Sequence, residues 1–230
     1  MDFESLEQKL TIKFSNQQLL KEALTHRSYL NEFKKEHLES NERLEFLGDV
    51  VLSFVVSNWL FEKFPLFPEG KLTNLRSNLV KTTALSEIAQ NLKIGDYLLL
   101  SRGEKESGGQ KNPTLLANTT EAIIGAIFLD QGIKIVDNFI KINFEPLLKK
   151  TIASGRLKDY KSLLQEKIQA KTGQSPIYKT TREEGPEHDK IFTIDVFANG
   201  KIMAKGVGKS KQKAEQEAAK IALEKLGIKK

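Results

Sequence analysis

Asn41-Glu42-Arg43-Leu44-Glu45-Phe46-Leu47-Gly48-Asp49 opens an apolar run that continues through Val50-Val51-Leu52. Glu42, Glu45 and Asp49 stand at i, i+3 and i+7, so a helix sets all three on one face. Leu44, Leu47 and the residues from Val50 to Leu52 supply its apolar side. A second stretch, Leu115-Leu116-Ala117-Asn118-Thr119-Thr120-Glu121-Ala122, repeats the arrangement with Asn118 and Glu121 at i, i+3. Acids among Leu, Ile, Phe and Gly are costly to desolvate unless a positive charge neutralises them. A hard divalent cation with oxygen ligands meets that need, and a metal held by acids suits attack on a phosphodiester. Acids at this spacing also line ordinary solvated helix faces, here with Arg43 as a partner. The second cluster favours the site reading, because Asn118 and Glu121 have almost no polar neighbours beyond Thr119 and Thr120.

Around these clusters the pattern from Phe3 to about Leu148 is helical, with no convincing strand. Val50 to Phe61 reads as a mostly buried helix stopped at Phe64-Pro65-Leu66-Phe67-Pro68. Leu72 to Leu92 keeps helical spacing up to the Ile94-Gly95-Asp96 break. Gly103 to Pro113 is a polar loop, and Leu115–Leu129 and Ile133–Leu148 are further helices. A short polar linker is expected over 150–157, separating a first domain, 1–149, from a second, 158–230.

In the second domain the grammar changes. Tyr160 to Lys171 is a helix, and Ile177–Thr181, Lys190–Phe197 and Ile202–Val207 read as strands. Asn199-Gly200 marks a tight hairpin, since both central positions of a type I′ turn need positive φ. Lys211 to Leu226 is an Ala-rich helix. The expected fold is mainly α: an all-α domain followed by a small α+β domain of order α-β-β-β-α.

The chain has 230 residues, 29% charged and 39% hydrophobic, which is globular composition. It has no cysteine, excluding disulfides, thiol catalysis and thiolate-bound zinc. The acidic start, Met1-Asp2-Phe3-Glu4, is no secretory leader, and runs such as Val50–Val56 are too short for a bilayer, so a cytoplasmic, non-membrane protein is expected. The net charge of +6 is uneven: 156–230 holds 17 Lys+Arg against 10 Asp+Glu, a net +7, which leaves −1 for the rest. A basic module beside an acidic one suggests capture of a polyanion coupled to chemistry on it.

Gly206-Val207-Gly208-Lys209-Ser210 looks like the end of a phosphate-binding P-loop, but the full pattern needs Gly where Met203 stands. No nucleotide cofactor is expected. What remains is a helix start loaded with Lys209, Lys211 and Lys213, suited to phosphate. Of the histidines, His188 lies in a turn between strands and could reach a ligand, whereas structural or surface roles are expected for His26 and His37.

The 41–49 stretch closely resembles the signature of the bacterial ribonuclease III family. Thr25-His26-Arg27-Ser28, Pro68-Glu69-Gly70, Ser107-Gly108-Gly109 and Leu116 to Ala122 follow in the family's order and spacing. The last third resembles a double-stranded RNA-binding domain through Leu164-Gln165-Glu166, Gly185-Pro186-Glu187-His188 and the lysines that open its last helix. The resemblance implies a homodimer that cuts double-stranded RNA with Mg²⁺, which Mn²⁺ can replace, leaving 5′-phosphate and 3′-hydroxyl ends. It implies Glu45, Asp49, Asn118 and Glu121 as metal ligands, Glu42 and Glu69 as accessory acids, and Phe46 as a dimer contact. Ser162, Gln165, Glu166 and His188 would meet RNA minor grooves, and Lys209, Lys211 and Lys213 its phosphates.

The family carries Asp where this chain has Asn118. Asparagine keeps one coordinating oxygen, but it loses the charge and adds an NH₂. Two readings therefore stand: a divalent-metal-dependent duplex-RNA endonuclease weakened at one ligand, or a duplex-RNA-binding protein that does not cleave.

Overall fold

In the computed structural model, which describes residues 3–33, 38–153, 160–186 and 189–228, the chain divides into two units, 1–157 and 158–230. The first unit strings together α1 (Phe3–Leu10), α2 (Gln17–Ala23), α3 (Arg27–Glu32), α4 (Glu42–Lys63), α5 (Glu69–Val80), α6 (Thr82–Asn91), α7 (Arg102–Glu106), α8 (Pro113–Gln131) and α9 (Ile133–Ala153). Its core is built on α4 and α8. Leu52, Val56 and Leu60 of α4 meet Ile123, Ile124 and Ile127 of α8, with Phe139, Ile140 and Phe144 of α9 closing the far side. All nine side chains are almost fully buried, and each such burial contributes about 1.5–3 kcal/mol.

Two glycines set how closely α4 and α8 approach. A Cβ on Gly48 would lie 1.8 Å from the Glu121 carbonyl oxygen, and one on Gly125 would lie 2.4 Å from the Leu44 carbonyl oxygen. No larger residue fits either position without parting the helices. This crossing juxtaposes the polar faces of the two helices.

Several expectations change on contact with the structure. The run Leu72–Leu92 is two helices, because Lys81 is extended at ψ 154° and its carbonyl caps α6 through Ala84 and Leu85. Apolar spacing carries through this corner since both helices bury one face in the same core, while Thr82-Thr83 weakens helical propensity at the join. The loop Gly103–Pro113 contains α7 and a single 3₁₀ turn, Gly109–Lys111. The helix starting at Ile133 extends to Ala153, so residues 150–153 of the expected linker are helical; 154–157 lie outside the described residues. Finally, α4, at 22 residues, is long and apolar enough on those grounds alone to cross a bilayer, unlike the shorter runs read from sequence. It is the central core helix here, with acids in its first two turns.

The second unit follows its expected order: α10 (Tyr160–Thr172), β1 (Ile177–Glu184), β2 (Ile191–Ala198), β3 (Lys201–Gly208) and α11 (Lys211–Lys225). The strands form an antiparallel sheet in the order β1-β2-β3. Asn199 and Gly200 take φ of 51° and 74° in the β2–β3 turn, as the hairpin signal requires. Leu164 and Ile168 of α10, Val196 and Ala204 of the sheet, and Ala218, Ala219, Ala222 and Leu223 of α11 form its core. Alanines on α11 let that helix lie close against the strands.

Candidate active site

The α4–α8 crossing opens a cleft of about 660 Å³ whose wall includes Glu45 and Asp49 from α4 and Asn118 and Glu121 from α8. Glu42, Phe46, His26 and Arg27 line the same cleft. Burial is the largest influence on Glu121, followed by the charges of Asp49 and Glu45; together they raise its pKa to about 7. Glu45 is raised too, first by burial and then by Glu42, while a hydrogen bond from the Asn118 amide acts against the rise and Asp49 adds to it.

Arg43 does not serve as the partner that a solvated acidic face would have used. It reaches back to Glu39 at 2.9 Å. Among the described residues, the ion pair at the cleft acids is Arg27–Glu42, a loose 3.7 Å contact at the exposed rim. Ser40 Oγ also donates to Glu42 at 3.1 Å.

These residues suit a hard divalent cation by chemistry: three carboxylates, one amide oxygen, no soft ligand, and acids whose crowding raises their proton affinity. Among the described residues, no three His, Cys, Asp or Glu side chains close on one point as a complete metal cage does. The set is open, with Asn118 standing where a fourth carboxylate would strengthen it.

The remaining site candidates fall elsewhere. Glu69 lies in the first turn of α5, outside the cleft lining, where its carboxylate accepts from Thr73 Oγ1 at 2.8 Å. Phe46 is 78% exposed beside the acids. Ser162, Gln165 and Glu166 share the outward face of α10, opposite buried Leu164 and Ile168. Ser210 caps α11 by accepting from the Lys213 N–H at 3.2 Å. Lys209 pairs with Asp189 and Lys211 with Glu183, each at 2.9 Å. His188 and His37 lie outside the described residues.

Two features escaped the sequence reading. His26 belongs to the cleft wall. And α4 has a second apolar face, with Phe46, Val50, Phe54 and Phe61 all exposed. Their spacing of four, four and seven was a legible signal: a helix apolar all round is either fully buried or covered by a partner.

Comparison with known proteins fits this geometry. A family model for ribonuclease-III-like domains matches residues 16–147, and one for the double-stranded RNA binding motif matches 160–226. Ribonuclease 3 of Roseiflexus sp. (strain RS-1) is 45% identical over 97% of this chain and 95% of its own length. Ribonuclease 3 of Oceanobacillus iheyensis is 43% identical over 98% and 99%. Among solved structures, the nuclease domain of ribonuclease III from Campylobacter jejuni aligns with a TM-score of 0.57 at 42% identity, covering 62% of this chain and 99% of that domain. The chain belongs to the ribonuclease III family, with the family's nuclease domain followed by a double-stranded RNA-binding motif.

Proposed function

We propose that this chain is a divalent-metal-dependent endonuclease for double-stranded RNA, acting in the cytoplasm and weakened in cleavage by Asn118. The observation that carries the proposal is the α4–α8 crossing, which gathers Glu45, Asp49, Asn118 and Glu121 into one cleft of a family nuclease domain. Those four residues would hold Mg²⁺, or Mn²⁺ in its place. When bound, the metal supplies hydroxide near neutral pH and offsets charge on the phosphate. Glu121 must shed its proton to serve, which its raised pKa makes dependent on pH. Glu42 at the rim and Glu69 on α5 are accessory acids. Ends of 5′-phosphate and 3′-hydroxyl type are expected.

Duplex capture falls to the second unit. A-form RNA hides its base edges, so Ser162, Gln165, Glu166 and His188 would read minor-groove hydroxyls while Lys209, Lys211 and Lys213 meet phosphates. Binding should fall steeply with salt and depend little on sequence. The exposed face of α4 supports a homodimer, with Phe46 among its contacts. Beside it, a groove of about 330 Å³ between α4 and α5, lined by Phe54, Leu60, Phe61 and Leu72, offers a seat for a partner's apolar side chain.

One observation favours the second reading, a binder that does not cut. The Asn118 amide beside Glu45 favours its ionised form as a cation would, yet brings no negative charge to hold one. The test is cleavage of a long labelled duplex in Mg²⁺ by this chain and by Asn118→Asp, beside a metal-free gel shift. Both should bind, and the Asp form should cut about 10²–10⁴ times faster, the range of other catalytic-group effects. Tight binding with no cutting by either chain would leave only the binder.

A further inference from the structure

His26 sits where the chain enters α3, and its surroundings fix what its ring can do. The His26 backbone N–H donates to Leu99 O at 3.0 Å, beside a short parallel bridge between Thr25 and Leu99. Thr25 O in turn accepts from Asn41 N at 2.8 Å, tying this turn to the start of the acid-bearing α4. The backbone that carries His26 is therefore tied on both sides, and the residue lines the cleft.

Nδ1 is occupied as an acceptor. The Ser28 backbone N–H donates to it at 3.3 Å, and Ser28 Oγ lies 2.8 Å away. Ser28 Oγ itself accepts from the Ser101 N–H at 3.1 Å, which leaves its own proton free for Nδ1. An acceptor Nδ1 assigns the neutral ring's proton to Nε2. Nε2 has no protein partner among the described residues, and the residue lines the cleft that contains Glu45, Asp49, Asn118 and Glu121. With its proton in place, Nε2 is a hydrogen-bond donor and not a metal ligand. Adjacent Arg27, 74% exposed at its side chain, adds positive charge to that wall.

We propose that His26 is a substrate-positioning residue: its Nε2–H donates to an oxygen of the RNA sugar–phosphate backbone lying across the acid cleft. His26 and Arg27 line the same cleft as the acids, so a strand lying across it is oriented by both sets of groups. This rests on the reading of the cleft as the cleaving site.

Two conservative variants separate the two ends of the ring. In His26→Asn, Oδ1 replaces Nδ1 as the cap for Ser28 N–H, and nothing stands at Nε2; Asn is among the best caps, so the fold should melt as the parent does. In His26→Gln, an amide NH₂ stands near the Nε2 position, and the cap is lost, lowering the melting temperature by about 2–4 °C. Both are made in this chain and in the Asn118→Asp chain, and kcat and KM for one duplex in Mg²⁺ are measured alongside thermal melts. His26→Asn should cut roughly 10–100 times more slowly, the worth of one hydrogen bond to a charged acceptor, whereas His26→Gln keeps most of the rate.

A 2′-deoxy substitution at the cleaved position identifies the acceptor. The His26→Asn deficit disappears on that duplex if the acceptor is the 2′-hydroxyl and persists if it is a phosphate oxygen. Rates that follow melting temperature, with His26→Asn cutting like its parent, overturn the inference alone. Parents that cut no duplex overturn the reading of the cleft and this inference with it.

Discussion

Glu121 holds its proton more tightly than a solvated glutamate because burial, then Asp49 and Glu45, oppose its ionised form. Its folded pKa of about 7 lies above the ordinary carboxylate value, so the folded chain holds more protons than the unfolded one between the two. Stability from this group is therefore present at acid pH and lost as pH rises through about 7. In metal-free melts, the chain should lose about 2–4 °C more than Glu121→Gln between pH 5 and pH 8, a figure kept small by the partial exposure of the group. Added Mg²⁺ should make good that extra loss at pH 8. Superimposable pH profiles for the two chains would contradict this electrostatic account of the cleft. The pairing of acids within each helix was legible from residue spacing alone, since Glu42, Glu45 and Asp49 repeat at helical intervals. The influence of Asn118 on Glu45 was not, because it joins two helices 73 positions apart in the chain. His26 was illegible for a related reason: nothing in Thr25-His26-Arg27-Ser28 reveals that Leu99, Ser101 and Asn41 converge on that turn.

At the scale of elements, the site exists because α4 and α8 touch backbone to backbone. Gly48→Ala would drive a methyl group into the Glu121 carbonyl, 1.8 Å from where the Cβ must go, and part the helices that supply the ligands. It should lower stability by about 1–3 kcal/mol, as overpacking does, and reduce cleavage more than duplex binding. Gly70→Ala on α5 is the control, since a Cβ there meets nothing within 4 Å. Equal behaviour of the two variants in thermal melts and cleavage assays would remove the crossing from the argument. Helix type and the three-stranded order were readable because α8 and the strands carry strong period signals. The corner at Lys81 and the extension of α9 to Ala153 were not, because apolar periodicity runs unbroken through the first and polar residues disguise the second. The significance of Gly48 and Gly125 emerges only when the two helices are paired.

For the whole molecule, two asymmetries organise the account. Basic charge is concentrated in 156–230 while the acid cleft lies in the first unit, so attraction for a polyanion and chemistry on it are assigned to different parts of the chain. The first unit also leaves one face of its central helix apolar, with Phe54 and Phe61 63% and 69% exposed. An exposed apolar patch of this kind suits burial against a second copy in a two-fold dimer. Sedimentation equilibrium should give twice the 26.0 kDa chain mass, and Phe61→Asp should shift the population to single chains. A single-chain mass for the unaltered protein at micromolar concentration would remove the dimer. The most direct test of the central claim is single-turnover cleavage of one long RNA duplex in Mg²⁺ by Asn118→Asp, with and without Glu121→Gln added. The account predicts that the first chain cuts and that the added change slows it by at least about 10² while duplex binding persists. Equal cleavage by both chains would contradict it, because the acids gathered by α4 and α8 would then not carry the reaction.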